Sequence, residues 1–387
     1  MLYSNDKVFC FYFPQFYPTP ENDFHWGKGF TDWDNVKTSV KLFDNHRQPR
    51  VPLNATYYVQ SEPAVIYEQA ALAKKYGVDG FSFYHYWFDG KLTLEKPLEN
   101  FLKNKDIDLE FCLTWANESW SKRWVGEDDV CIFKQTHAND VTLWKLHFDY
   151  LYQAWSDPRH LKLDGKPVFV VYNPHLITCA QEMFSFWNQE LEAKMGVGLH
   201  IVSVMVSPFS IGSSTDIYNS EVNFEPRYSY NSDSFKKKSF FASKIFQPLR
   251  YLPESILNKI TKLRYKLSSY EVVDYQAVWD VLVNKCEQRA LTNPNGFNFY
   301  GCFVDWDNTP RYKNKSKVYH GASPDVFAEK FKLLLDKTSC LGSGQDKRLF
   351  FINAWNEWSE GTYLEPDSVY GYQYLEKIKS LRINQSC

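Results

Sequence analysis

At 387 residues the chain is long for an average domain and of ordinary size for one (β/α)8 barrel. Hydrophobic residues at 44% and charged residues at 23% place it among soluble globular proteins, and a formal net charge of -2 removes the electrostatic case for a nucleic-acid partner. No run reaches the roughly 18 uninterrupted apolar residues of a membrane span. The N-terminal "MLYSNDKVFCFYFPQFYP" lacks the basic region and long apolar run of a signal peptide, so a cytoplasmic location is expected.

Eight short apolar or alternating runs follow one another along the chain: 8–13, 80–88, 110–115, 167–172, 199–206, 221–226, 299–306 and 349–355. Helical patterns stand between them, at 62–77, 139–155, 178–195 and 324–337. Buried strands alternating with helices over this length predict an α/β fold, a single (β/α)8 TIM-type barrel spanning 1–387. A doubly wound open sheet is the competing architecture. It is disfavoured because no GxGxxG or GxxxxGK[ST] motif follows any of the runs.

Residues 232–270 interrupt the rhythm after the sixth strand. Within 234–267 there are nine Lys or Arg and a single acid, Glu254. Ile256, Leu257, Ile260, Leu263 and Leu267 fall on one helical face, with Lys259, Lys262 and Lys266 away from it. This reads as a basic amphipathic insertion. It is either a solvated excursion packed on the barrel or a peripheral contact with an anionic membrane.

Barrel chemistry is carried at the C-terminal strand ends, and there the sequence turns polar and aromatic. The first strand contributes Tyr12 and Gln15, the second His85, Tyr86 and Trp87, and the third Trp115, Asn117, Glu118, Trp120 and Arg123. The fourth contributes Tyr172, the sixth Glu225, the seventh Asp305 and Trp306, and the eighth Trp355 and Asn356. These are the expected substrate-binding residues, with Trp115, Trp120, Trp306 and Trp355 as stacking platforms. His85 also reads as a satisfied core histidine. Aromatic residues make up 18% of the chain, more than an aliphatic core needs, which suits a sugar-binding cleft.

The strongest local signal is "NAWNEWSEG" at 353–361, where Glu357 and Glu360 stand three apart, flanked by Trp355 and Trp358. Apolar rings beside a carboxyl exclude water and raise its pKa. The pair is therefore expected to be catalytic. A metal site is not expected, because the nine His form no HxH or HExxH pattern; Asp305 and Asp307 are weak cation candidates. No GxSxG elbow marks a serine hydrolase. The eight cysteines are scattered, and Cys10, Cys112 and Cys302 read as reduced thiols inside strands.

The runs "FYFPQFYPTPENDFHWGKGFTDWDNV", "GFSFYHYWFDGKLTLEKPL", "FCLTWANESWSKRW", "DWDNTPR" and "NAWNEWSEGTYLEPD" resemble the WbsX-like family. That family is described as glycoside hydrolase family 99-like and is often labelled glycosyltransferase in polysaccharide gene clusters. The resemblance implies a (β/α)8 barrel acting on glycosidic bonds of a surface polysaccharide such as O-antigen, or of its precursor, without a cofactor. In hydrolase relatives, the endo-acting α-mannosidases, a NEWxEG pattern carries both carboxylates. Carried over, Glu357 matches the base and Glu360 the acid/base of a retaining mechanism in which the substrate's own 2-hydroxyl is the nucleophile. A glycosyltransferase using the same site and a non-catalytic glycan-binding barrel are the alternatives.

Overall fold

The computed structural model describes residues 1–3, 5–121, 131–207, 217–233, 235, 269–292, 298–339 and 348–382. Eight parallel strands form the central sheet: β1 (Lys7–Tyr12), β2 (Gly80–Phe88), β3 (Glu110–Trp115), β4 (Lys166–Val171), β5 (His200–Met205), β6 (Ser220–Asn223), β7 (Asn298–Phe303) and β8 (Arg348–Asn353). Hydrogen bonding runs in the order β6-β5-β4-β3-β2-β1-β8-β7. Every neighbouring pair on that path is parallel. All eight strands predicted from the sequence are present, each within three residues of its expected ends. The fold is a TIM-like barrel, closed except for the seam between β6 and β7.

Around the sheet lie α1 (Pro63–Lys75), α2 (Lys96–Lys103), α3 (Val141–Trp155), α4 (Ala180–Met195), α5 (Tyr275–Thr292), α6 (Pro324–Ser339) and α7 (Gln373–Ser380). Pro63 at the first position of α1 suits a helix start, where its missing N–H has no intrahelical partner to lose. Between β5 and β6 the described residues contain no helix. Among the described residues no helix is long and apolar enough to cross a membrane. The basic insertion expected at 232–270 lies almost wholly outside the described residues, as does Arg123.

Strand pleating sorts side chains between the barrel interior and the helix layer. On β1, Phe11 packs inward against Tyr84, Phe224 and Phe351, whereas Tyr12 faces outward and donates to Gln69 Oε1 of α1 at 2.6 Å. Much of the aromatic excess sits in these packed layers: Trp155 and Trp187 meet Phe169 beneath α3 and α4, and Trp279 stacks on Phe303 beneath α5. Fused and single rings thus fill space that an aliphatic core would fill with more residues. Cys10, Cys112 and Cys302 are buried free thiols in β1, β3 and β7, as the apolar runs imply.

The seam explains one glycine. A Cβ on Gly301 would lie 1.8 Å from the carbonyl oxygen of Asn223, so β7 approaches β6 there as bare backbone. Arg289 of α5 laces the same joint, donating to the Glu221 carbonyl and to Asn223 Oδ1, each at 2.9 Å. Gly301→Ala should therefore destabilise the barrel by roughly 1–3 kcal/mol or more, the usual cost of overpacking a rigid site. The denaturation midpoint measures it; an unchanged midpoint would mean the seam can widen freely.

Candidate active site

The C-terminal ends of the strands open into a cleft of about 290 Å3. That is near the lower end of the ~300–1,000 Å3 common for small-ligand pockets. Its walls are aromatic, including Phe13, Tyr84, Tyr86, Trp120, Tyr172 and Trp306, and its charged groups among the described residues are Glu118, Arg227, Arg311, Glu357 and Glu360.

Both glutamates come from one tight element. After β8 the chain forms a two-residue antiparallel pairing, Asn356–Glu357 with Thr362–Tyr363, closed by a single 3-10 turn at Trp358–Glu360. Gly361 ends the turn with φ +65°, in the left-handed region, and a Cβ there would lie 2.8 Å from Asp307 backbone. Glycine is needed on both counts. Asp307 N donates to the Glu360 carbonyl at 2.7 Å, which ties the loop after β7 to the turn.

Arg311 joins the two carboxylates. Its Nη2 donates to Glu357 Oε1 at 2.6 Å and to Asp32 Oδ2 at 2.9 Å, and its Nη1 donates to Glu360 Oε1 at 2.8 Å. The guanidinium lies over the Phe13 ring. Glu357 and Glu360 therefore share one cation on the same side of the cleft. Glu357 is the deeper, with 8% of its side chain exposed against 20% for Glu360. Burial holds the Glu357 carboxyl well above the ordinary glutamate range, with Glu360 and Asp32 adding to the rise and Arg311 opposing it.

Asp307 anchors the site from below. His46 Nε2 and Gln48 Nε2 lie 2.9 and 2.7 Å from its Oδ2, and Thr309 donates to Oδ1 from both N and Oγ1. Burial alone would raise its pKa, but these bonds and Arg50 bring it down to about 2. Asp305 pairs with Arg50 Nη1 at 2.8 Å and accepts from Trp306 N. Both aspartates are thus engaged in bracing this loop, which turns Trp306 into the cleft.

Of the sequence-predicted binding residues, Tyr86, Glu118, Trp120, Tyr172 and Trp306 line the cleft together with the two glutamates. Asn117 sits behind it, exchanging hydrogen bonds with the Asn173 backbone, and Asn173 Nδ2 holds Glu118 Oε1 at 2.5 Å. Asn356 is a brace too, bonded through its amide to both the N–H and the carbonyl of Phe13. Gln15 borders a separate small recess beside Trp120 and Arg311.

Other residues fall away from the cleft because of strand alternation. Tyr84 and Tyr86 face in, so His85 and Trp87 face the helix layer, where both stack on His147 of α3. His85 and His147 share a 2.8 Å hydrogen bond, and burial keeps His85 neutral, with its pKa down to about 3. Trp115 packs on Trp187 of α4, and Trp355 is fully buried against Phe81. Neither forms a wall of the cleft. Tyr12 is held by Gln69. Glu225 accepts from Ser229 N and Oγ at 3.1 and 2.8 Å, and burial raises its pKa to about 7.

Two residues of the site carry no mark at the strand ends of the sequence: Asp32 and Arg311. Arg311 ends the "DWDNTPR" run, and a basic residue inside so acidic and aromatic a loop is the signal that points to it.

The family model described as "Glycosyltransferase WbsX" matches residues 8–378. "Uncharacterized protein WxcX" of Xanthomonas campestris pv. campestris is 34% identical over 373 residues, covering 96% of this chain and 48% of the relative. The chain thus spans about half the length of the curated relatives it matches. Among solved structures, "GH99 endo-alpha-mannosidase from Bacteroides thetaiotaomicron" has a TM-score of 0.56 at 11% identity, covering 97% of this chain and 96% of that one. "Glycoside hydrolase-like protein" has a TM-score of 0.57 at 12% identity, covering 97% and 93%. At such identities the two structures share the barrel fold. The match over nearly all of its residues places the chain in the Glycosyltransferase WbsX family.

Proposed function

We propose that this barrel acts on glycosidic bonds of a surface polysaccharide or its precursor, with Glu357 and Glu360 as base and acid of a retaining, endo-α-mannosidase-like reaction. The observation that carries the reading is the pair of carboxylates on one turn, bridged by Arg311 inside an aromatic cleft. An ordinary retaining glycosidase sets its carboxyls ~5 Å apart so that one attacks the anomeric carbon. A pair on one side suits a reaction in which the sugar supplies its own nucleophile. Glu357 removes the O2 proton, O2 attacks C1, the C1–O bond breaks, and Glu360 protonates the departing oxygen. Water then opens the 1,2-anhydro sugar, giving a proton to Glu360 while Glu357 returns one to O2. The 2-hydroxyl must lie trans to the broken bond, as in an α-mannoside. Glu360, nearer the mouth, is the better placed to meet a leaving group that exits to solvent.

The family's description supports a second reading at the same site, transfer from a nucleotide-activated sugar. Incubation with α-linked manno-oligosaccharides, followed by NMR of the released anomer, separates the two. Cleavage with retained α configuration is expected. Release of UDP or GDP from nucleotide sugars, without oligosaccharide cleavage, would replace the first reading by the second.

A further inference from the structure

Among the described residues two guanidinium groups line the cleft, and they are engaged very differently. Arg311 bonds Asp32, Glu357 and Glu360. Arg227 enters from the segment that follows β6 and is exposed at the cleft beside Tyr172 and Phe224. Among the described residues its one hydrogen bond runs from Nη1 to the Tyr172 hydroxyl, at 2.9 Å, and no Asp or Glu forms an ion pair with it. Its base is fixed: Pro226 and Glu225 before it are buried, and Glu225 binds Ser229 just beyond.

A cation in this position has a consequence for the ligand. A sugar that fills the cleft strips water from Arg227. A neutral sugar replaces that water with hydroxyls alone, whereas an oxyanion meets the planar fork with charge-assisted bonds. The other described charged residues of the lining do not favour anions, since they are Glu118, Glu357 and Glu360, with Arg311 offsetting the latter two. Arg227 is thus the position, among the described lining residues, where a negative group is favoured.

We propose that Arg227 makes the site selective for a sugar bearing an oxyanion, either the carboxylate of a uronic acid or a phosphate ester, on the side of the ligand that faces β6. The inference rests on the reading of the cleft as a glycoside site.

Quenching of tryptophan fluorescence tests it, because Trp120 and Trp306 line the cleft. The probes are methyl α-mannopyranoside, the corresponding methyl α-mannopyranosiduronate, and mannose 6-phosphate, each titrated into the full chain at low and high salt. At low salt the charged probes should bind about 10- to 100-fold more tightly than the neutral one, as expected for hydrogen bonds to a charged group. The preference should shrink with salt, vanish in Arg227→Gln and survive in part in Arg227→Lys. Preference for the uronate alone, the phosphate alone, or both would support the proposal and identify the source of the oxyanion. Equal binding of all three probes, or a preference that persists in Arg227→Gln, would overturn it and leave the glycoside reading standing. Binding of none of them would take the glycoside reading down as well.

Discussion

Glu357→Gln and Glu360→Gln should each lower turnover by about 100- to 10,000-fold, the usual worth of a positioned proton-transfer group. The fold should survive both changes. Glutamine keeps the carbonyl oxygen that accepts from Arg311, whose contacts with Asp32 and the remaining glutamate persist. Unaltered turnover in both variants, on any substrate the wild type cleaves, would remove the pair from the chemistry. The pH profile adds a sharper check. The base must be ionised to take the O2 proton, and burial holds Glu357 well above its ordinary 4.5. The acid limb of kcat/KM should therefore lie above that value. A base with such an elevated pKa is also the stronger proton acceptor near neutral pH.

Stability should respond in the same window. The folded chain keeps the Glu357 proton at pH values where an unfolded glutamate has lost it. Between 4.5 and the raised value the folded state thus binds more protons, and stability falls as the pH rises through that range. Glu357→Gln has no proton to lose there, so its stability relative to wild type should increase with pH across that range. Parallel stability curves would show that Glu357 ionises in the fold as it does in the unfolded chain.

Arg311→Ala should destabilise the protein by roughly 3–5 kcal/mol at neutral pH and abolish turnover. Removing one partner of a buried ion pair leaves the others charged and uncompensated. Three carboxylates depend on this guanidinium, and Asp32, Arg311 and Glu357 are almost fully buried. The deficit should be pH-dependent. Without the cation that opposes its rise, the Glu357 carboxyl holds its proton more readily, so lowering the pH recovers part of the loss. Urea denaturation at pH 7 and pH 4.5 reads this directly. A deficit of equal size at both values would mean that packing on Phe13, rather than charge pairing, is what Arg311 contributes.

The barrel was legible in the sequence because its signal is local. Runs such as "VFCFYF" and "PVFVVY" need burial on both faces, and eight of them alternating with helical patterns leave few architectures open. The turn at 353–361 was legible for a similar reason: two carboxyls, two tryptophans and a glycine within nine residues define their own surroundings. The strand ends were read less well. In "FYHYWF" every residue looks fit for a sugar site, yet the pleat sends Tyr84 and Tyr86 to the cleft and His85 and Trp87 to α3. Composition does not carry that phase; the register of β2 against its neighbours does.

Residue types at short spacing thus determined, without any structure, the parallel barrel, the end of it that opens into a cleft and the glutamate pair found there. Only the tertiary structure decided which polar groups face the cleft and which hold the loops. Asp305 and Asp307 brace Arg50, His46 and Gln48 from a segment more than 250 residues away. Arg311 joins Asp32 to Glu357 across 279 and 46 positions. Such pairings are long-range and electrostatic. They depend on where separate loops meet at the barrel mouth, and a one-dimensional pattern contains no distance between those loops.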